Sequence, residues 1–527
     1  MKKFRVTFYP ANKSIDVTQG TTILSAALSC GVYINSVCAG EGTCGKCKVL
    51  VSGKTKEKES ILACQTAVNE NTTVEVPLET SLDLDSRIDI TLQEKAITPS
   101  CKHLGVALDI GTTTVSARLI DLDNKKGLGT AITYNRQASF GADVITRIIY
   151  TAQKDGLDKL HNAVISTINR IIGSLALEFK ISPSEITSVS CAGNTTMIHL
   201  LLKIDPAYIR QGAKIPLTNS MPLQKAQKAG IGINKDGSLY CIPSVANYIG
   251  GDAVSGILSS GLYKAKELSI LIDIGTNGEI AVGNEEFIVA CAASAGPAFE
   301  GSGLQCGMRA SPGAIEKINI NPKDFSLTHK TILNAKPLGI CGSGYISLLS
   351  AMLTSGIIDR AGKITAQKNE RIRKAEYGQE FIVAPKEETQ TENDIVITEA
   401  DIENLKRTKA AIYSAVALLI KHMNFKISDI KNVFISGGLG TSLDIESAVG
   451  IGLLPDLERE RFFFLGNSSL AGAERVLLSS QEKDLAEAIG KKVTYFDLSS
   501  EPKYMDEYMA ALFFPHTDLS KFPSLKK

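Results

Sequence analysis

Four cysteines near the start of the chain, Cys38, Cys44, Cys47 and Cys64, are spaced C-x5-C-x2-C-x16-C, with Gly40, Gly42 and Gly45 among the first three. Thiolates favour soft metals, and a close triplet with a distant fourth suits one [2Fe-2S] cluster. The glycines admit positive φ and leave backbone N–H groups free to point at cluster sulfurs. A structural zinc site is the alternative, but zinc ribbons bring two close C-x2-C pairs, and Cys64 stands alone. Cys30, Cys101, Cys191, Cys241, Cys291, Cys306 and Cys341 share no ligand-like spacing and read as buried small apolar residues.

A second chemistry is written twice. Val106-Ala-Leu-Asp-Ile-Gly-Thr-Thr-Thr-Val115 and Ile270-Leu-Ile-Asp-Ile-Gly-Thr-Asn-Gly-Glu279 are each an apolar strand ending in Asp-Ile-Gly-Thr. Such a turn can present N–H groups and threonine hydroxyls to phosphate oxygens, while its Asp holds a magnesium-bound water. Asp109, Gly111, Thr112 and Thr113 are therefore expected at one side of a nucleotide's phosphates, and Asp273, Gly275, Thr276 and Asn277 at the other. Glu279 or Asp252 is the candidate to orient the attacking water. Val433-Phe-Ile-Ser-Gly-Gly-Leu-Gly440 adds a third strand-end turn, whose Gly437 and Gly438 would let backbone lie against adenine or ribose. No Walker A sequence is present, and no G-x-G-x-x-G joins a strand to a helix as the dinucleotide fingerprint requires. His199, after Met197 and Ile198, reads as a hydrogen-bonded core histidine.

These residues need elements to carry them. Residues 4–9 and 13–17 read as strands, 21–32 as a helix, and 47–51 and 73–76 as strands, the order of a β-grasp domain over residues 1–78. Residues 79–104 read as a linker. From 105 onward strands and helices alternate, as in a layered α/β protein, and the repeated Asp-Ile-Gly-Thr strand implies two halves of related construction. The expected lobes are 105–266 and 267–500, with a C-terminal extension at 501–527. The polar run 371–393 reads as an exposed insertion or a flexible loop. At 527 residues the chain exceeds what one core supports. Its 57 basic and 56 acidic residues give no polyanion-binding bias, so nucleic acid is not an expected partner. The absence of a long apolar run or signal-peptide core points to the cytoplasm and away from membranes.

The three strand-end turns resemble the phosphate-1, phosphate-2 and adenosine motifs of the superfamily of acetate and sugar kinases, heat-shock chaperones and actin. The fold class expected is thus α/β, a β-grasp ferredoxin-like [2Fe-2S] domain followed by a two-lobed actin-like ATPase domain. Further stretches are similar to the reductive activators of corrinoid-dependent enzymes. They are Cys38 to Cys47 with Leu62-Ala-Cys-Gln-Thr66, Phe140-Gly-Ala-Asp-Val-Ile-Thr-Arg-Ile148, Ala192-Gly-Asn-Thr-Thr-Met-Ile-His-Leu-Leu201, Asp273 to Glu279, Ala295-Gly-Pro-Ala-Phe-Glu-Gly301 and Gly339-Ile-Cys-Gly-Ser-Gly344.

The resemblance implies ATP-dependent transfer of one electron from the cluster to an inactive Co(II) corrinoid protein, restoring Co(I) for anaerobic methyl transfer. A ferredoxin-like donor or reductase would refill the cluster. Small residues at 290–300 would let backbone approach a corrinoid, with Ser294 offering an oxygen near cobalt. Because the first phosphate loop begins at Asp109, the chain reads as a short form lacking the family's middle domain, which leaves a homodimer open. Two other classes stay in play: a small-molecule kinase with a redox-sensing cluster, and a nucleotide-gated chaperone for cofactor loading.

Overall fold

The computed structural model describes residues 2–36, 38–42, 44–52, 58–77, 80–82, 88–92, 103–210, 216–365, 369–375, 378–439 and 443–525. Two compact units are formed, Met1–Gly251 with Ala473–Lys483, and Asp252–Gly472 with Asp484–Lys527. Among the described residues no helix is long and apolar enough to cross a membrane.

In the first unit the N-terminal module is a five-stranded sheet of β1 (Lys3–Tyr9), β2 (Lys13–Thr18), β3 (Lys48–Ser52), β4 (Glu59–Leu62) and β5 (Thr72–Glu75), in the order β2-β1-β5-β3-β4. Its helix, Ile23–Ser29, is capped by the Thr22 hydroxyl, which accepts from Ser25 N, and buries Ile23, Leu24, Ala26 and Ala27 on the sheet. This is the β-grasp arrangement, with β4 added between the cluster loop and Cys64.

The seven strands that follow are β6 (Asp89–Leu92), β7 (Leu104–Ile110), β8 (Thr114–Asp121), β9 (Lys126–Tyr134), β10 (Ile186–Gly193), β11 (Gln224–Lys225) and β12 (Ser238–Cys241). They form one sheet in the order β11-β12-β10-β7-β8-β9-β6. β6 overturns part of the expected linker: Asp89–Leu92 pairs antiparallel with β9 as an edge strand. An edge strand buries only part of each residue, so its polar, weakly patterned sequence reads as connection. The rest of the expected linker lies largely outside the described residues.

The second unit carries β13 (Ser269–Ile274), β14 (Gly278–Gly283), β15 (Ile288–Ala293), β16 (Ala314–Ile320), β17 (Leu327–Thr331), β18 (Gly339–Ile340), β19 (Ile372–Lys374), β20 (Gln379–Ala384), β21 (Ile395–Thr398), β22 (Asn432–Gly437), β23 (Phe462–Gly466) and β24 (Val493–Tyr495). Six of them make the sheet β23-β22-β13-β14-β15-β24. Its β23-β22-β13-β14-β15 portion repeats the first unit's β12-β10-β7-β8-β9, parallel and antiparallel pairs included. The internal echo in sequence is thus an echo in topology, and both Asp-Ile-Gly-Thr turns end a central strand flanked by a parallel and an antiparallel neighbour. Such strands are buried on both faces, hence their unbroken apolar runs.

One expectation changes here. The described residues of the run 371–393 are not a flexible loop: β19 and β20 form a three-stranded sheet with β21, and Arg373 bridges Glu380 and Asp394. The polar residues that suggested an open loop are partners of one another. The C-terminal segment is likewise built into the second core. Phe514 and Phe522 are fully buried, and Lys409, from the helix Glu399–His422, donates to the carbonyls of Ala511, Phe513 and Pro515.

Candidate functional site

The cluster loop closes over the helix and β4. Gly40, Gly42 and Gly45 all adopt positive φ, as the loop's sharp turns require. Cys47 and Cys64 are buried with their sulfurs 3.3 Å apart, while Cys44 and Cys38 are half-buried and interact with each other. Among the described residues no three His, Cys, Asp or Glu side chains converge on a point where one ion would sit. The thiols lie as the pairs Cys47–Cys64 and Cys38–Cys44, a donor set that would suit a binuclear cluster.

Burial pushes the Cys47 thiol up to about 11, with Cys64 adding to the rise, and burial raises Cys44 as well. Metal binding must displace those protons. Gln65 was not singled out as a site residue from sequence. Its Nε2 donates to Gly40 O at 3.0 Å and lies 3.5 Å from the Cys64 sulfur, clamping the loop onto the distant fourth cysteine.

The first phosphate loop follows β7. Asp109 and Gly111 are half-buried, Thr112 and Thr113 buried. Three successive loop carbonyls are held from behind: Gly111 O by Asn135 Nδ2 at 2.9 Å, Thr112 O by Arg147 Nη2 at 2.6 Å, and Thr113 O by Asn135 N at 2.8 Å.

In the second unit Asp273 and Glu279 are register partners across β13 and β14. Burial raises the Glu279 carboxyl well above its ordinary value, and the carboxylates of Asp252, Asp273 and Glu300 push it further in the same direction. Glu300 is the member that sequence reading missed. The Thr276 hydroxyl donates to it, and its side chain reaches toward Gly275 and Gly438. Gly437, at φ +115°, ends β22 where a Cβ would stand 2.3 Å from Ile274 O and 2.9 Å from Asp273 Oδ1, so only glycine lets the two strand ends meet. Asn277 is half-buried beside this turn. Ser294 is exposed, on a segment pinned to the phosphate loop by Gly296 N donating to Thr276 O at 2.9 Å. The second unit therefore gathers Asp252, Asp273, Thr276, Glu279, Glu300 and Gly437 about one turn.

His199 is buried, with Nδ1 2.8 Å from Thr195 O, as a core histidine should be. Cys191, Cys241, Cys291 and Cys341 are buried, whereas Cys30 and Cys306 are half-buried; Cys101 lies outside the described residues.

Comparison with known families matches these parts in chain order. Residues 6–69 match the 2Fe-2S iron-sulfur cluster binding domain, residues 104–265 the RACo middle region, and residues 267–526 the C-terminal domain of RACo, the ASKHA domain. The middle region is therefore present, against the expectation of a short form without it. The stretch beginning at β7 carries the Asp109 loop and so read wholly as a first ATPase lobe.

The corrinoid activation enzyme RamQ of Eubacterium limosum is 29% identical, over 96% of this chain and 98% of its own. The [Co(II) methylated amine-specific corrinoid protein] reductase of Methanosarcina barkeri is 28% identical, over 74% of this chain and 73% of its own. A solved structure of a reductive activator for corrinoid, iron-sulfur protein is 38% identical, covers 99% of this chain and 100% of its own, and superposes with a TM-score of 0.79. With its cluster-binding domain, RACo middle and C-terminal regions and full-length match, the chain belongs to the family of reductive activators of corrinoid proteins.

Proposed function

We propose that the protein is an ATP-dependent reductase that passes one electron from a [2Fe-2S] cluster to an inactive Co(II) corrinoid protein, returning its cobalt to Co(I). The observation that carries this reading is the union, in one chain, of two thiol pairs at a ferredoxin-type loop with two Asp-Ile-Gly-Thr turns on repeated sheets. An electron moved to lower potential costs about 2.3 kcal/mol per 100 mV, which explains why a phosphate-cleaving fold accompanies an electron carrier.

Cys38, Cys44, Cys47 and Cys64 would hold the cluster, which when bound would supply the one-electron couple. Gly111, Thr112, Thr113, Gly275, Thr276 and Asn277 receive the phosphates, with Gly437 and Gly438 beside the nucleoside. Asp109 and Asp273 would each hold a magnesium-bound water, and Asp252 is the alternative to Glu279 for orienting the attacking water. Glu279, once ionised, accepts a proton from the attacking water. Ser294 is the contact offered to the corrinoid, its exposure beside the second phosphate loop being the feature that supports it. The setting is cytoplasmic, the donor a ferredoxin-like protein or reductase, and a homodimer is compatible with the chain.

The test is anoxic: protein, reductant and MgATP are mixed with a Co(II) corrinoid protein, and the Co(I) absorbance band is followed. Co(I) should form only when ATP is present. Phosphorylation of a small molecule without any corrinoid protein would move the assignment to the kinase class, and reactivation that needs no cluster turnover would move it to a chaperone.

A further inference from the structure

One short turn in the first unit touches both working parts of the protein. Arg136–Ser139, with Asn135 as its cap, lies between β9 and the helix Val144–Thr151. On one side, Asn135 and Arg147 hold the carbonyls of Gly111, Thr112 and Thr113. A trans peptide sets each C=O opposite the next residue's N–H, so this grip turns the N–H groups of Thr112 and Thr113 the other way, as phosphate donors must be.

Arg147 is fully buried, and its remaining donors reach Gln137 Oε1 at 3.1 Å and Gly141 O at 3.0 Å. Gln137, itself buried, is tied to Leu160 O at 3.0 Å. A planar guanidinium can satisfy these separate acceptors at once; an ammonium cannot reach them all. Burial, against the neighbouring Asp143 carboxylate, lowers the Arg147 pKa to about 9, so it stays charged at neutral pH.

On its other side, the same turn meets the cluster module. Ser139 Oγ donates to Ile34 O at 2.9 Å, the Arg136 guanidinium lies 4.9 Å over the Tyr33 ring, and Phe140 meets that ring edge-on at 6.5 Å. Ala39, next to the ligand Cys38, packs with Tyr33 against the same core. The backbone beyond the module is drawn in as well, with Leu82 N donating to Tyr33 O and Asn35 N to Thr80 O. From Ile34 the chain runs directly into the cluster loop.

We propose that Arg147, with Asn135 and Gln137, positions the first phosphate loop, and that the turn they hold carries the occupancy of that loop to the docking of the cluster module at Tyr33 and Ile34. The inference rests on the reading of that loop as a nucleotide site. A phosphate bound in front of the loop orders the N–H groups whose carbonyls the turn holds, so it favours the turn's present conformation and the docked module. Linkage makes the effect reciprocal: loosening the docking must weaken nucleotide binding by the same factor.

The experiment uses the full-length, cluster-loaded protein with and without magnesium and a non-hydrolysable ATP analogue. Amide hydrogen exchange is read over residues 30–36 and 80–82, and analogue affinity by calorimetry. The analogue should slow exchange in both peptides by about fivefold or more, the lower end of typical coupling strengths. Tyr33→Ala should bind the analogue more weakly by a similar factor with an unchanged cluster spectrum, although residue 33 belongs to the other module. Tyr33→Phe, which keeps the ring, should restore wild-type affinity. Arg147→Lys should abolish the exchange response. Equal affinities in wild type and Tyr33→Ala, with exchange at 30–36 indifferent to bound analogue, would overturn the coupling alone. A wild type that binds no nucleotide overturns the nucleotide reading of the loop, and the coupling with it.

Discussion

Glu279 faces Asp273 across two central strands, with Asp252 and Glu300 nearby, so ionising it adds negative charge to a buried, acidic place. Unfolded, this carboxyl ionises near its ordinary 4.5; folded, burial and the neighbouring carboxylates keep the proton on. A raised folded pKa means the unfolded state binds fewer protons above pH 4.5, so the residue costs more stability as pH climbs from there through the folded value. Glu279→Gln, of the same shape and unable to ionise, should therefore raise the Tm of the nucleotide-free protein at pH 8 by about 2–4 °C and leave it unchanged at pH 4. Its ATPase should fall by about 10²–10⁴-fold if the carboxylate takes the water's proton, measured with nucleotide affinity retained. An unaltered turnover would remove Glu279 from catalysis. With the native residue, ATP hydrolysis should accelerate as pH rises through the elevated pKa.

Elements meet tightly where function needs them. β22 and β13 run parallel and converge at Gly437, and Gly437→Ala would drive a methyl into Ile274 O and oblige an L residue to take φ +115°. A loss of about 2–3 kcal/mol on urea unfolding is expected, together with weakened nucleotide binding as the strand end shifts. The helix Glu399–His422 and the C-terminal segment are joined through the buried Lys409 ammonium. Lys409→Met fills the space but leaves three carbonyls without donors, at about 1–3 kcal/mol for each that cannot find water. Limited proteolysis should then cut within residues 504–525 well before the rest of the chain unfolds, and a proteolysis pattern like wild type would show the lysine to be dispensable.

For the whole molecule, the decisive variant separates the two chemistries. Cys44→Ala removes one thiolate of a four-thiolate set, so the protein should lose its visible iron-sulfur absorbance and its Co(II) reductase activity while ATP hydrolysis persists, because no residue of the Asp-Ile-Gly-Thr turns is altered. The cysteine loop and the twin Asp-Ile-Gly-Thr strands were legible in sequence because each is a contiguous piece of chain in which spacing and strand-turn chemistry speak for themselves. The edge strand Asp89–Leu92 and the sheet of β19 to β21 were not, since polar residues that pair with one another look the same in sequence as polar residues that face water. Arg147 read as one letter of a motif and Glu300 as another, with nothing local to say that the first grips Thr112 O and the second receives the Thr276 hydroxyl. Sequence by itself determined which groups could bind iron and phosphate, because ligand type and turn geometry are local properties. Only the tertiary structure decided which buried charges stand behind those groups, because burial and electrostatic company are set by residues far away along the chain.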